Sequence, residues 1–322
     1  MTPPGSAVPP PVTAVLDASQ RWLPVRLGEV EDQLRAAIAG WGGPLGEDAG
    51  ATLAAGGKRL RPMLVLLCAG ESGGEEAVRA ATAIELVHMA TLVHDDVLDE
   101  APLRRGLPTV AATSGRGRAL ATGDLLLSRA FALLSEAGDA GSVLLLADAA
   151  VALARGELAQ RQDAFDLTIT EQRYLDRCRL KTAALFECAV ALGRDDPELR
   201  RFGAEVGLAF QLLDDVLDVT GPPERTGKAR GTDLLDGTVT LPLIAAAERD
   251  PELRRIDLPG LDAAGAEAVC DRIAATGALR TVRARALDLV ADGKRALGRA
   301  GFDAEGRRLL ELVADGVVQR YS

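Results

Sequence analysis

Hydrophobic positions fall at three- and four-residue spacings along nearly the whole chain. Leu86, Val87, Ala90, Leu92 and Val93 form one such series among polar neighbours, and Leu208, Leu212, Val216 and Val219 form another. That period is one face of an α-helix. From Thr13 onward the pattern predicts helix with few interruptions, and no strand alternation of useful length appears. The expected breaks are Gly40 to Gly50, Gly70 to Gly74, Gly115 to Gly117, Gly138 to Gly141 and Arg194 to Pro197. Gly221 to Thr240, with six Gly and Pro residues, reads as the longest irregular stretch. Residues 1–12 carry five prolines and read as a disordered tail ahead of a single domain over 13–322. The predicted fold class is all-α, a large bundle of about ten or more helices.

Composition supports this reading. Aromatic residues are only 3% of the 322, and few side chains are β-branched, which favours helices over sandwiches and barrels. The 37 Lys and Arg against 47 Asp and Glu leave a formal charge of −10, which argues against nucleic acid as a partner. Cys68, Cys178, Cys188 and Cys270 lack metal-ligand spacing and are expected as reduced, buried thiols. The longest apolar runs, such as Met63 to Ala69, fall well short of a membrane span. With no signal-peptide pattern at the N-terminus, the expected location is cytoplasmic.

One string occurs twice. Asp95-Asp96-Val97-Leu98-Asp99 recurs letter for letter as Asp214-Asp215-Val216-Leu217-Asp218. In each copy the first and last aspartates lie four residues apart and share a helix face, with the second rotated aside. Like charges at that spacing destabilise a bare helix. A solvated acidic face is one reading of a single copy, but two copies inside apolar helices favour a bound cation. Carboxylates with no His or Cys beside them suit Mg²⁺, which completes its octahedron with water and substrate phosphates.

A basic set accompanies them. Gly56-Gly57-Lys58-Arg59-Leu60-Arg61-Pro62 places three cations after a glycine pair, Arg104-Arg105-Gly106 follows the first acidic motif, and His88 lies seven residues before Asp95. Lys181-Thr182 opens another apolar stretch, and Lys228 sits in the Gly-rich segment. Singly these are ordinary surface charges. With two Mg²⁺ motifs they suggest a cationic site for a second phosphate group. His94 has no nucleophile near it, so a packing or supporting role is expected in place of general-base catalysis.

The segments GGKRLRP, HMATLVHDDVLDEAPLRRGLPT, GDLLLSRAF, GELAQ, KTAALF, FQLLDDVLD, GKARGTDL and TLPL, in that order between Gly56 and Leu243, resemble the trans-isoprenyl diphosphate synthases, or polyprenyl synthetases, of the medium- and long-chain type. The resemblance implies an all-α homodimer around an apolar cavity that joins isopentenyl diphosphate to an allylic diphosphate, using three Mg²⁺ ions. It implies that Asp95, Asp99 and Asp214 are metal ligands, with Asp215 and Asp218 as outer-sphere partners. Lys58, Arg61, His88 and Arg105 resemble the isopentenyl diphosphate site. Arg104, Lys181 and Lys228 resemble the grip on the allylic diphosphate. Thr182 and Gln211 resemble the groups whose oxygens face the developing carbocation. Thr238 stands where many members carry Lys, which removes one cation from that grip.

Chain length is expected to depend on bulk below the first acidic motif. Ala90 lies somewhat more than one ~5.4 Å turn from Asp95, with Met89 beside it and Leu86 further down. A small residue there predicts an all-trans product longer than geranylgeranyl diphosphate. The alternatives are a geranylgeranyl or farnesyl diphosphate synthase, a class I terpene cyclase, and a non-catalytic partner subunit. A cyclase uses one diphosphate and has no need of GGKRLRP, and partner subunits tend to lose motif aspartates, all of which are present here.

Overall fold

The computed structural model describes residues 10–19, 22–221 and 230–319. The helices are α1 Pro10–Ala18, α2 Trp22–Ala39, α3 Gly43–Ala54, α4 Leu60–Ala69 and α5 Gly74–Leu98. A hairpin of two short strands follows, β1 Leu103–Arg104 and β2 Leu107–Pro108, and then α6 Val110–Ser114, α7 Arg116–Glu136 and α8 Ala140–Gln162. Next come α9 Glu171–Cys178, α10 Ala184–Gly193, α11 Pro197–Thr220, α12 Thr232–Leu235, α13 Leu241–Ala247, α14 Ala263–Ala275, α15 Ala278–Leu297 and α16 Ala304–Gln319. The all-α class holds, and none of the described helices is long and apolar enough to cross a membrane.

The chain groups into two compact units. One comprises Met1–Ala150, Cys188–Arg200 and Gly301–Gly316; the other comprises Val151–Glu187, Arg201–Ala300 and Val317–Ser322. Both are discontinuous in sequence, so no linker composition could mark a boundary.

In the first unit α5 packs against α2, α4 and α7. Residues 77–78, 80–87, 89 and 90 of α5 are all buried, so this helix is enclosed on every side, as is α4 from Pro62 to Cys68. Helices buried all round form the centre of a core and lose the amphipathic stripe of a surface helix. In the second unit, α15 shows the stripe plainly. Leu279, Val282, Ala286, Leu289, Val290, Gly293, Ala296 and Leu297 are buried, and α15 packs against α13. All four cysteines are buried thiols.

Three local expectations need correction. The break at Gly40 to Gly50 is mostly helix, because α3 starts at Gly43 with Pro44 in its first turn, where a missing N–H costs nothing. Tertiary bonds hold it: buried Asp48 accepts from Ser114 Oγ at 2.7 Å and from Arg118 Nε at 2.9 Å. The expected tail overlaps α1, which begins at Pro10 and includes residues 10–12. The irregular stretch before Thr240 contains the helical turn α12. The short hairpin, not anticipated, pairs Leu103 with Pro108 and Arg104 with Leu107. Its two-residue turn has positive φ at Arg105 (54°) and Gly106 (78°), as the right-handed twist of the strands requires.

Candidate active site

The first acidic motif ends α5. Asp99 follows the last helical residue, yet its N–H still bonds Asp95 O at 2.8 Å, so the helical register continues and the two carboxylates share a face. Asp95 is half-buried and Asp99 exposed, while Asp96 is buried. Asp96 turns inward and accepts from Arg104 Nε at 2.7 Å. No basic residue occupies the last turn of α5. Carboxylates at a helix C-terminus add to the negative end of the helix dipole, an unfavourable arrangement that a bound cation relieves.

The basic set lies in the same unit. Arg59, in left-handed conformation at the start of α4 (φ 48°), donates to Glu31 of α2 and, at 2.7 Å, to Glu85 of α5. A Cβ on Gly57 would lie 2.9 Å from the Arg59 guanidinium and 3.4 Å from that of Arg105, so both arginine tips come close to this glycine. Arg105 donates to Gly56 O, which ties the hairpin turn to the glycine pair. Arg59 therefore works as a cross-link, while Arg61 and Lys58 flank it as candidate ligands, Lys58 exposed. Burial pushes the Arg61 pKa down to about 10, against the pull of Glu85. Burial, and then the charges of Arg61, Arg105, Arg104 and Arg59, hold His88 well below the usual imidazole range. Four arginine charges acting on one histidine mark a positive neighbourhood on a chain of net charge −10. The four predicted residues Lys58, Arg61, His88 and Arg105 belong to this one neighbourhood.

His94 packs where a supporting role was expected. A Cβ on Gly123 would lie 2.2 Å from His94 Nε2, and that nitrogen is 3.3 Å from Asp124 Oδ1. Leu86, Met89 and Ala90 are all buried, in the part of α5 that is enclosed on every side.

The second acidic motif closes α11, again with no basic residue in the last turn. As in the first motif the second aspartate, Asp215, is buried, but the outer two are exchanged: Asp214 is exposed and Asp218 half-buried. Asp218 Oδ2 accepts from Asp233 N at 3.3 Å, and its backbone carbonyl accepts from Gly231 N at 3.0 Å. Asp215 is fully engaged. Tyr174 Oη donates to its Oδ2, and Gln211 Nε2 donates to its Oδ1 at 2.7 Å. Burial raises its pKa to about 7; these two donors oppose that rise, and Asp214 and Asp218 add to it. Thr182 Oγ1 donates to Gln211 Oε1 at 2.7 Å. The structure thus joins Thr182 and Gln211, and turns Asp215 away from the outward pair.

Lys181 and Thr182 sit in a π-helical stretch, Arg179–Ala183, between α9 and α10. Such bulges cost regular hydrogen bonds and recur at functional sites. Two glycines make room for it. A Cβ on Gly156 of α8 would lie 2.5 Å from Lys181 N, and one on Gly207 of α11 would lie 2.9 Å from Ala183 Cα. Lys181 Nζ is ion-paired with Glu157, the residue after the first of these glycines. Lys228 lies outside the described residues. Thr238 follows Gly237 (φ 71°), whose missing side chain leaves room for the Phe165 ring, and Thr238 N donates to Asp233 O at 2.7 Å.

Sequence reasoning missed Tyr174, Glu157 and Arg177. Arg177 is 3% exposed, donates to Val239 O at 2.7 Å and lies 5.4 Å from the Tyr174 ring centroid. Glu157 had a signal, because it falls in the GELAQ segment. Tyr174 and Arg177 had none.

The donor chemistry fits Mg²⁺. Each motif carries two carboxylates that are not buried, Asp95 and Asp99 in the first and Asp214 and Asp218 in the second. Mg²⁺ binds through one or two carboxylates and takes water and phosphate oxygens for the rest.

The chain is 43% identical over 241 residues to heptaprenyl diphosphate synthase component 2 of Geobacillus stearothermophilus, covering 72% of this chain and 75% of that protein. The crystal structure of heptaprenyl diphosphate synthase from Staphylococcus aureus superposes with a TM-score of 0.87 at 29% identity, over 93% of this chain and 99% of that one. That of a decaprenyl diphosphate synthase from Rhodobacter capsulatus gives 0.86 at 32% identity, over 97% and 99%. Residues 45–268 match the polyprenyl synthetase family, and with the motifs folded as described, the chain belongs to that family.

Proposed function

We propose that the chain is a trans-prenyltransferase that condenses isopentenyl diphosphate with an allylic diphosphate, in a Mg²⁺-dependent reaction, to an all-trans polyprenyl diphosphate longer than geranylgeranyl. The observation that carries the reading is the twice-used acidic motif, folded the same way in both copies. In each, the second aspartate is buried and hydrogen-bonded, while the first and last are half-buried or exposed. The long product rests on Ala90 and on the heptaprenyl and decaprenyl synthases among the relatives. A homodimer and a cytoplasmic location belong to the same reading.

Asp95, Asp99 and Asp214 would hold Mg²⁺, three ions in all, with Asp218 supporting through water. When bound, the metal neutralises charge that builds on the leaving diphosphate. Arg104, positioned by Asp96, and Lys181, positioned by Glu157, would each donate to diphosphate oxygens, and by resemblance Lys228 belongs to the same grip. The allylic C–O bond breaks and the diphosphate leaves with the electron pair. Thr182, hydrogen-bonded to the Gln211 carbonyl, would place its oxygen toward the allylic cation. Lys58, Arg61, Arg105 and His88 hold isopentenyl diphosphate so that its double bond attacks that cation, which makes the encounter intramolecular in effect. The new cation then loses a proton to the departed diphosphate, so no side-chain base is needed.

The test is to incubate the purified chain alone with isopentenyl diphosphate, a series of allylic primers and Mg²⁺, and to weigh the products. Polyprenyl diphosphates longer than geranylgeranyl, abolished by chelator, are expected. Products ending at farnesyl or geranylgeranyl would overturn the length. A cyclic hydrocarbon from one allylic substrate, or activity only with a second protein, would overturn the assignment.

A further inference from the structure

Four side chains of the second unit form a line of hydrogen bonds whose direction is set at its buried end. Tyr174, 1% exposed, donates its hydroxyl to Asp215, 2% exposed. A carboxylate with one oxygen taken by that donor can only accept at the other, so the part of Gln211 facing it is the amide nitrogen, at 2.7 Å. The Gln211 carbonyl is then directed at Thr182, which must donate to it, also at 2.7 Å. The Thr182 proton is committed inward, and its remaining lone pairs point away from the chain.

We propose that Tyr174 and Asp215 are positioning residues that fix the polarity of this chain, so that Thr182 presents lone pairs and not a proton to the cation formed in the reaction. The proposal rests on the functional reading above and goes beyond it in taking Asp215 out of metal coordination. Aligned dipoles anchored on a buried negative charge stabilise positive charge at their far end, and in a dry site they need no reorganisation when the cation forms. The surroundings suit such a line. Gly156 and Gly207 admit the π-helical turn that carries Thr182, and Arg177 stacks on the Tyr174 ring while holding Val239 O. The phenol is thereby held at a fixed place.

Asp215→Asn tests the polarity with little change in shape. Its carbonyl can still accept from Tyr174, but its amide now faces Gln211. Gln211 must turn over and donate to Thr182, whose proton is then released outward. All three hydrogen bonds survive: the one from Tyr174 keeps its direction and the two beyond it reverse. At pH 8, with both diphosphates and Mg²⁺ saturating, kcat is expected to fall about a hundredfold, the usual worth of one aimed dipole. KM for both diphosphates and the half-saturating Mg²⁺ concentration should stay within about twofold, because groups acting on the transition state alone leave binding intact. A large rise in the Mg²⁺ requirement would make Asp215 a metal ligand and overturn the proposal, as would unchanged kcat. Tyr174→Phe combined with Thr182→Val gives a second reading: residues on one line should show a double variant no slower than the slower single. Multiplied losses would overturn it. If Tyr174→Phe does not fold, Asp215→Asn alone decides. Wild-type protein that condenses nothing overturns the functional reading itself, whereas active wild type with an equally active Asp215→Asn overturns only the chain.

Discussion

Arg104 reaches back along the chain to donate its Nε to Asp96 at 2.7 Å. Adjacent aspartates in one motif therefore differ in surroundings, Asp95 half-buried and Asp96 buried against an arginine. Asp96→Asn keeps the shape and removes the charge, so it should raise KM for the allylic diphosphate about tenfold, roughly one charge-assisted hydrogen bond, with kcat at saturation nearly unchanged. Asp95→Asn should instead lower kcat by about two orders of magnitude or more. Steady-state kinetics on both variants checks this, and indistinguishable profiles would contradict the division.

Gly156 supplies the second prediction. A methyl group there would sit 2.5 Å from Lys181 N and 2.8 Å from its Cα, and backbone cannot give way as a side-chain tip can. Gly156→Ala should destabilise the protein by about 1–3 kcal/mol, the usual cost of overpacking, and should depress turnover because the π-helical turn is displaced. Gly28→Ala, in the interior of α2 with nothing within 4 Å, is the control and should stabilise by up to about 1 kcal/mol through helix propensity. Thermal unfolding of the two variants in opposite directions is the expected result.

The third prediction concerns pH. Asp215 keeps its proton up to about 7 in the folded protein, against an ordinary value of 3.8. Folding then takes up a proton between those values, so this residue's contribution to stability falls as pH rises from about 4 to about 7. Asp215→Asn does not titrate. In chelator, the stability of the variant relative to wild type should be greater at pH 7 than at pH 5 by denaturant titration. A constant difference would show that Asp215 titrates near its ordinary value.

Ala90 carries the fourth. It is 1% exposed on α5, and Ala90→Phe should shorten the product chains while leaving the first condensation intact. Mass analysis of the products, with circular dichroism to confirm the fold, provides the check. An unchanged product distribution would mean that the growing tail follows another route.

Several features were legible from residue order. The helical period gave the class, and the DDVLD repeat, the glycine pair before Lys58 and the arginine pair after Asp99 marked the site. These signals are local: a carboxylate four residues from another shares its helix face wherever that helix is packed. Glycine density misled at α3, because the bonds from Ser114 and Arg118 that hold Asp48 come from residues far along the chain.

The sequence by itself determined that the chain is helical, that it carries paired acidic motifs and a basic set, and which family's chemistry those motifs match. Only the tertiary structure decided which aspartate of each motif turns inward, that Arg59 is bound to Glu31 and Glu85, and that Tyr174 anchors the line to Thr182. The reason is physical. Helical periodicity is a property of neighbours in the chain, whereas a hydrogen-bond partner is fixed by the packing of distant segments, as with Tyr174 and Asp215, 41 residues apart.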